Sequence, residues 1–311
     1  MSSCPPANYI PAADQPIDVG MARRLLASEG ILATGDLFTI DEVAQINAAV
    51  NPILVAKSTE ERAYAHPDDL LRTGVWDLIF GVRMRSILFS IMPDPVLYHC
   101  HVYEIASANP EPHIFGESLA GWHCDVEKPR NQRLELPDEA THVSLFVHLT
   151  DIGPGDGAFE FVSAKSDQWL WPGTPYISVF GKAGYTFVWN REFFHRASPN
   201  LSNIRRRILK LSIQRNRFAS LHLDNEHFRR VCQAVPLGDT EMDILLGRFQ
   251  GKSAPTGIMP VSTMWTRILP NSNLALPIGT LLVPQLRKRL SRFKSRTTSM
   301  FGTSDKAAFR G

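Results

Sequence analysis

The sequence predicts a mainly β fold with flanking helices, its strands gathered into two sheets as a sandwich or jelly roll. Short apolar runs recur between Gly/Pro-rich turns from about residue 97 to 217, at 97–105, 120–126, 141–149, 157–163, 176–180, 184–189 and 205–214, the spacing expected of double-sheet β folds. Helical periodicity is confined to the two flanks. At 311 residues, 44% hydrophobic and 21% charged, the chain has ordinary globular composition. Its length suits one such unit of roughly 200–250 residues with extensions. No internal repeat is visible.

Each element follows from its residues. Residues 1–19 are rich in Pro and Ala and read as an extended segment. A helix is expected over 20–28 and another over 41–57, the second with Asp41 and Glu42 at the end where the helix dipole favours negative charge. Residues 58–75 are polar and read as a mobile loop. Leu78, Ile79, Val82, Ile87 and Leu88 recur at helical spacing, so one helix is expected over Trp76–Met92, ended by Pro93 and Pro95. Phe194–Asn200 reads as a turn and 225–248 as helical, whereas 249–284 is interrupted by Pro and Gly. The chain thus divides into an extended segment (1–19), one β domain with N-terminal helices (20–250) and an interrupted segment with a basic tail (251–311).

His123-Cys124-Asp125 carries the chemistry. On a strand, side chains two apart share a face, so His123 and Asp125 can reach one metal while Cys124 points away. A distant histidine completes the two-histidine, one-carboxylate face that holds non-haem Fe(II) with open positions for a co-substrate and oxygen. His195 is the expected distal ligand. His142, His148 and His222 are the other candidates, but none has the Pro199-Asn200 turn and the arginine cluster that follow His195. Eleven residues past His195, Arg206 can offer a bidentate fork to the far carboxylate of a bound 2-oxoglutarate. Strand alternation puts Arg205 and Arg207 on one face and Arg206 on the other, so only one parity can point inward.

Taken in order, these pieces resemble the phytanoyl-CoA dioxygenase family of Fe(II)/2-oxoglutarate-dependent oxygenases over roughly residues 20–217. Glu29–Val43 resembles the family's opening strand, Leu-Phe turn and acid-capped helix. Trp122-His123-Cys124-Asp125 resembles its W-H-x-D, Leu149–Ala158 its glycine-rich turn, and His195 with Pro199-Asn200 its distal-ligand segment. The resemblance implies a double-stranded β-helix (a cupin-like jelly roll), with His123, Asp125 and His195 as catalytic metal ligands and Arg206 as the co-substrate arginine. It also implies that Fe(II), 2-oxoglutarate and O2 are used to hydroxylate a C–H bond of a small organic metabolite or acyl derivative, releasing succinate and CO2. Relatives that halogenate lack the carboxylate, so Asp125 argues for hydroxylation or a related oxidation and against halogenation. Cys124 stands where the family often has Gln, which shifts co-substrate binding toward the strand Tyr98–Tyr103. There His99, His101 and Tyr103 share a face; His101 and Tyr103 read either as pocket residues that bond 2-oxoglutarate or substrate, or as packed core residues. Trp122 reads as packing.

Charge and cysteine usage bound the setting. Residues 285–311 hold eight basic residues against the single acid Asp305, a net +7; the whole chain is +2, so residues 1–284 carry −5. Such asymmetry suggests an anionic partner for the tail. The apolar run 274–284 is too short for a membrane span, which needs about 20 residues. In Gln285–Ser295, Leu286, Leu290 and Phe293 recur at helical spacing among basic residues, so the segment either docks on an anionic membrane surface or acidic partner, or packs on its own domain. Lys128, Arg130 and Arg133 follow the proximal ligands and read either as a solvated loop or as a cover suited to an anionic or carrier-bound substrate. Four scattered cysteines (Cys4, Cys100, Cys124, Cys232) and no signal-peptide pattern lead us to expect a reducing, cytoplasmic setting. No nucleic-acid module or transmembrane segment is expected. Two other readings stay open on the residues alone: a cupin-like metal enzyme that does not use 2-oxoglutarate, and a non-catalytic binding protein on the same fold.

Overall fold

The computed structural model describes residues 18–109, 121–126, 139–165, 174–216 and 225–248. The chain enters through α1 (Val19–Ser28), where Asp18 Oδ1 accepts the Met21 N–H at the N-terminus, as a capping carboxylate should. Gly30 reverses the chain with φ +83°, its N–H reaching the Leu25 carbonyl in the left-handed helix stop that glycine favours. β1 (Ile31–Asp36) follows, then α2 (Ile40–Ala56), opened by a reciprocal Thr39/Glu42 capping box.

Residues 58–75 are not the loop expected from their polarity. They form β2 (Arg62–Ala65) and α3 (Pro67–Arg72), because Ala63 and Ala65 are fully buried and β2 pairs with β3 (Pro95–Ile105). The helix expected over Trp76–Met92 is two, α4 (Trp76–Ile79) and α5 (Val82–Ile91), parted at Phe80-Gly81. Then come β4 (His142–His148), β5 (Phe159–Lys165), β6 (Ile177–Val179), β7 (Tyr185–Asn190), β8 (Phe193–Ala197) and β9 (Arg206–Arg215). Expected strand ends agree within two residues for β3, β4, β5, β6, β7 and β9. Two expectations fail nearby. The described part of the expected strand 120–126, residues 121–126, forms no ladder strand, only a bridge between His123 and His195, and the start of the expected turn at Phe194–Asn200 is the body of β8. The helix expected at 225–248 is α6 (Asn225–Ala234) and α7 (Thr240–Leu245), split where Pro236 and Gly238 interrupt helical backbone.

Six strands pair antiparallel in the order β1-β7-β4-β9-β3-β2, and three more as β6-β5-β8. The two sheets face each other as the jelly-roll core. Alternation assigns the faces. Cys100, Val102, Val143, Leu145, Val147, Val188, Leu209 and Leu211 join a core cluster with the helices. Tyr103, Ile105, Phe146, Phe187, Trp189 and Ile208 point the other way, into a second cluster with Phe159, Phe161 and Phe193 of the small sheet. The large sheet is therefore covered on both faces, a helix layer on one side and a sheet on the other. Among the described residues no helix is long and apolar enough to cross a membrane. The expectations for residues 1–17, the 127–133 loop with Lys128, Arg130 and Arg133, His222, and the segment 251–311 with its basic tail lie outside the described residues.

A Cβ on Gly30 would sit 2.7 Å from the Phe161 and Phe193 rings. Gly30→Ala is therefore expected to cost the roughly 1–2 kcal/mol of a left-handed L-residue and a further packing penalty. Urea unfolding reads this as a lower midpoint with the same slope; an unchanged midpoint contradicts the packing described.

Candidate active site

Between the sheets lies a cavity of about 340 Å³. Its large-sheet wall is set by strand parity. On β3, His99, His101 and Tyr103 face inward, and on β9 so do Arg206 and Lys210, opposite Ile105 and His101 in the ladder. Arg205 and Arg207 turn to the other face, where both pair with Glu104 and Arg207 also reaches Asn47 and Asn51. This is the alternation expected from the sequence.

Across the cavity, β8 and the segment at His123 are tied by reciprocal backbone bonds, His123 N–H to His195 O at 3.0 Å and His195 N–H to His123 O at 2.9 Å. The bridge sets the two imidazoles side by side, with centroids 4.2 Å apart. His123 Nδ1 lies 2.8 Å from the Gly121 carbonyl and His195 Nδ1 3.0 Å from that of Phe193. A carbonyl only accepts, so Nδ1 carries a hydrogen in each ring, and the neutral form of such a ring keeps its lone pair on Nε2. Both Nε2 atoms turn to Asp125, at 3.7 Å from Oδ1 for His123 and 3.5 Å from Oδ2 for His195. One ligand atom from each of the three residues lies within 4.8 Å of the others, close enough to hold a metal ion. The carbonyl bonds to Nδ1 are the outer-shell orientation that metal-binding histidines use. His142 and His148, the other described candidates for distal ligand, sit on β4 outside this group.

Electrostatics favour ligation. Burial, with His195 adding to it, pushes His123 down to about 3, so the ring is neutral at ordinary pH. Burial alone would raise Asp125, but the Arg191 guanidinium and the two histidines hold it well below the usual carboxylate range. Arg191 is the site residue that sequence reasoning missed. Its Nε donates to Asp125 Oδ2 at 2.7 Å and its Nη1 to the Tyr98 hydroxyl at 2.5 Å. A charged Arg191-Glu192 pair between two apolar strands was the available signal.

Arg206 is 1% exposed, and Nε, Nη1 and Nη2 all lack a hydrogen-bond partner. Its guanidinium stands 5.8 Å from the Tyr103 ring centroid, and burial pulls its pKa below the ordinary arginine value. A buried guanidinium left this way costs several kcal/mol, a cost that a bound carboxylate would offset. Trp122 is half-buried and stacks against Arg196 at 4.6 Å, while Arg196 pairs with Glu160; this is packing, as expected. Cys124 is buried.

A family model described as phytanoyl-CoA dioxygenase matches residues 26–208. No curated protein matches the sequence. Among solved structures, the chain resembles the non-haem alpha-ketoglutarate-dependent carbocyclase SnoK from nogalamycin biosynthesis (15% identity, TM-score 0.51, 68% of this chain and 89% of that one). It also matches EctD from S. alaskensis in its apoform (14%, 0.49, 67% and 80%) and the alpha-ketoglutarate-dependent epimerase SnoN from nogalamycin biosynthesis (16%, 0.48, 65% and 85%). At such identities the SnoK match shows a shared fold.

His148, on β4 and close enough to feel Arg206, provides a test of that arginine's charge. Burial and then the nearby Arg206 push it down to about 3, against about 6.5 in an unfolded chain. Between those values the unfolded state binds a proton that the folded state does not, so stability falls as pH drops through that window. His148→Gln should flatten the pH dependence of metal-free unfolding by about one proton there; an unchanged slope contradicts the assignment.

Proposed function

The chain belongs to the phytanoyl-CoA dioxygenase family of Fe(II)/2-oxoglutarate-dependent oxygenases, and from that premise we propose that it hydroxylates a C–H bond of a small organic metabolite or acyl derivative. The observation that carries the reading is the pairing of a three-residue metal face with an unpartnered, buried Arg206 in one cavity. The residues fit the cofactors. His123, Asp125 and His195 would hold Fe(II), presenting two neutral nitrogens and one carboxylate oxygen on one side. Arg206 would take the far carboxylate of 2-oxoglutarate through its planar fork, with Tyr103 beside it and His101 next along the strand. When bound, iron and 2-oxoglutarate supply oxygen activation coupled to oxidative decarboxylation, with succinate and CO2 released.

The protein's own part is placement and exclusion. Trp189 and Phe159 pack against His195, at 4.0 and 5.6 Å between centroids, and hold its ring against rotation. Phe146, Phe159 and Trp189 wall the cavity, which keeps water from the reactive centre while a substrate C–H bond is held near it. The fold itself does not choose the substrate.

Substitution tests both halves. Asp125→Ala and His195→Ala should each abolish substrate-stimulated succinate formation with the circular dichroism spectrum unchanged; wild-type turnover in either refutes the metal assignment. Arg206→Ala should raise the KM for 2-oxoglutarate by about 100-fold or more, given the roughly 3–5 kcal/mol lost when one member of a buried charge pair is removed. Arg205→Ala and Arg207→Ala, which release Glu104 on the opposite face, should lower stability and leave that KM nearly unchanged. A large KM effect at Arg205 or Arg207 with none at Arg206 overturns the co-substrate assignment.

A further inference from the structure

We propose that Arg191 is a positioning residue of the metal centre, holding the Asp125 carboxylate in place between the Nε2 atoms of His123 and His195; the inference rests on the metal-centre reading above. Arg191 sits in the turn between β7 and β8, four residues before His195, and holds Asp125 in two ways. Its carbonyl accepts the N–H groups of Asp125 and Val126 at 3.1 and 3.2 Å, which fixes the backbone that carries the ligand. Its guanidinium places Nε and Nη2 on the same carboxylate oxygen, Oδ2, at 2.7 and 2.5 Å. The guanidinium contacts thus fall on Oδ2, which also lies 3.5 Å from His195 Nε2, while Oδ1 lies 3.7 Å from His123 Nε2, so the arginine holds the carboxylate plane between the two histidines.

The arginine is itself anchored. Nη1 donates to the Tyr98 hydroxyl of β3, and the Arg191 N–H donates to the His142 carbonyl of β4 at 3.0 Å. Tyr98 is 1% exposed and Arg191 5%, so the network runs from the sheet core to the ligand without crossing solvent. Lysine could keep the charge but could not bond Oδ2 and Tyr98 through one rigid plane. A residue that only balanced charge would need neither the fork nor the tyrosine.

Calorimetric titration of Mn(II) into the metal-free full chain separates the possibilities, with His195→Ala as the control. Arg191→Gln should weaken Mn(II) binding by about 10–100-fold, as loss of outer-shell partners does. Arg191→Lys should fail to restore it, and Tyr98→Phe, which removes only the far anchor, should weaken it by a smaller factor. If Arg191→Gln does not fold, Tyr98→Phe and Arg191→Lys carry the test, and wild-type affinity in both overturns the proposal. Wild-type or tighter binding in a folded Arg191→Gln also overturns it, since charge alone would then explain the pair. Wild-type affinity in His195→Ala instead sinks the metal-centre reading, a different failure from unchanged affinity confined to Arg191 and Tyr98.

Discussion

Two sheets meet over a space lined by the Asp125 carboxylate and by the buried guanidinium groups of Arg191 and Arg206, and taking such charges out of water costs several kcal/mol per ion unless opposite charges compensate. The protein meets this constraint unequally. Asp125 and Arg191 neutralise each other directly. Arg206, lodged on β9 and buried to 1% exposure, has no hydrogen-bond partner. That imbalance distinguishes a core from a binding site. A fold selected only for stability would fill the Arg206 position with an apolar side chain, since replacing buried charge by hydrophobic packing is often neutral or stabilising.

Everything that places these charges follows from strand alternation. On β3, β4 and β9 most residues of one parity are apolar and pack under the helices. Those of the other parity include His99, His101, Ser144, Arg206, Lys210 and Ser212, polar groups facing the space between the sheets. A slip of one residue in any ladder would exchange the two sets. The helices on the outer face thus do more than cover the sheet. By burying Leu145, Leu209 and their neighbours they hold the register that turns Arg206 inward and sends Arg205 and Arg207 to Glu104.

Much of this was legible in the sequence because it depends on local periodicity. The long strands announce themselves as apolar runs between turns, and the parity of the arginine triplet can be read from residue numbers alone. The His123/Asp125 pair was legible too, although by the wrong route. The described residues 121–126 hold no ladder strand, and the histidine is held by one bridge to β8 just after Gly121, whose φ is +79°. β2 and α3 were missed because four residues, Arg62-Ala-Tyr-Ala65, are too few to show a period, and their strand character comes from pairing with β3. Arg191 was missed for a similar reason. Its partner Asp125 lies 66 residues away, and only the folded chain brings them together. The turn glycines and helix stops, in contrast, act within a few residues and leave a direct signature.

A metal face and a carboxylate subsite in one cavity should act together on the same 2-oxo acid. The most direct measurement is a calorimetric titration of 2-oxoglutarate into the full chain, with and without Mn(II) bound in place of Fe(II). Tight one-to-one binding is expected when metal is present and binding weaker by at least about tenfold without it, because chelation and the Arg206 pair would each supply part of the free energy. Equal affinity in the two states, or no binding in either, would contradict it.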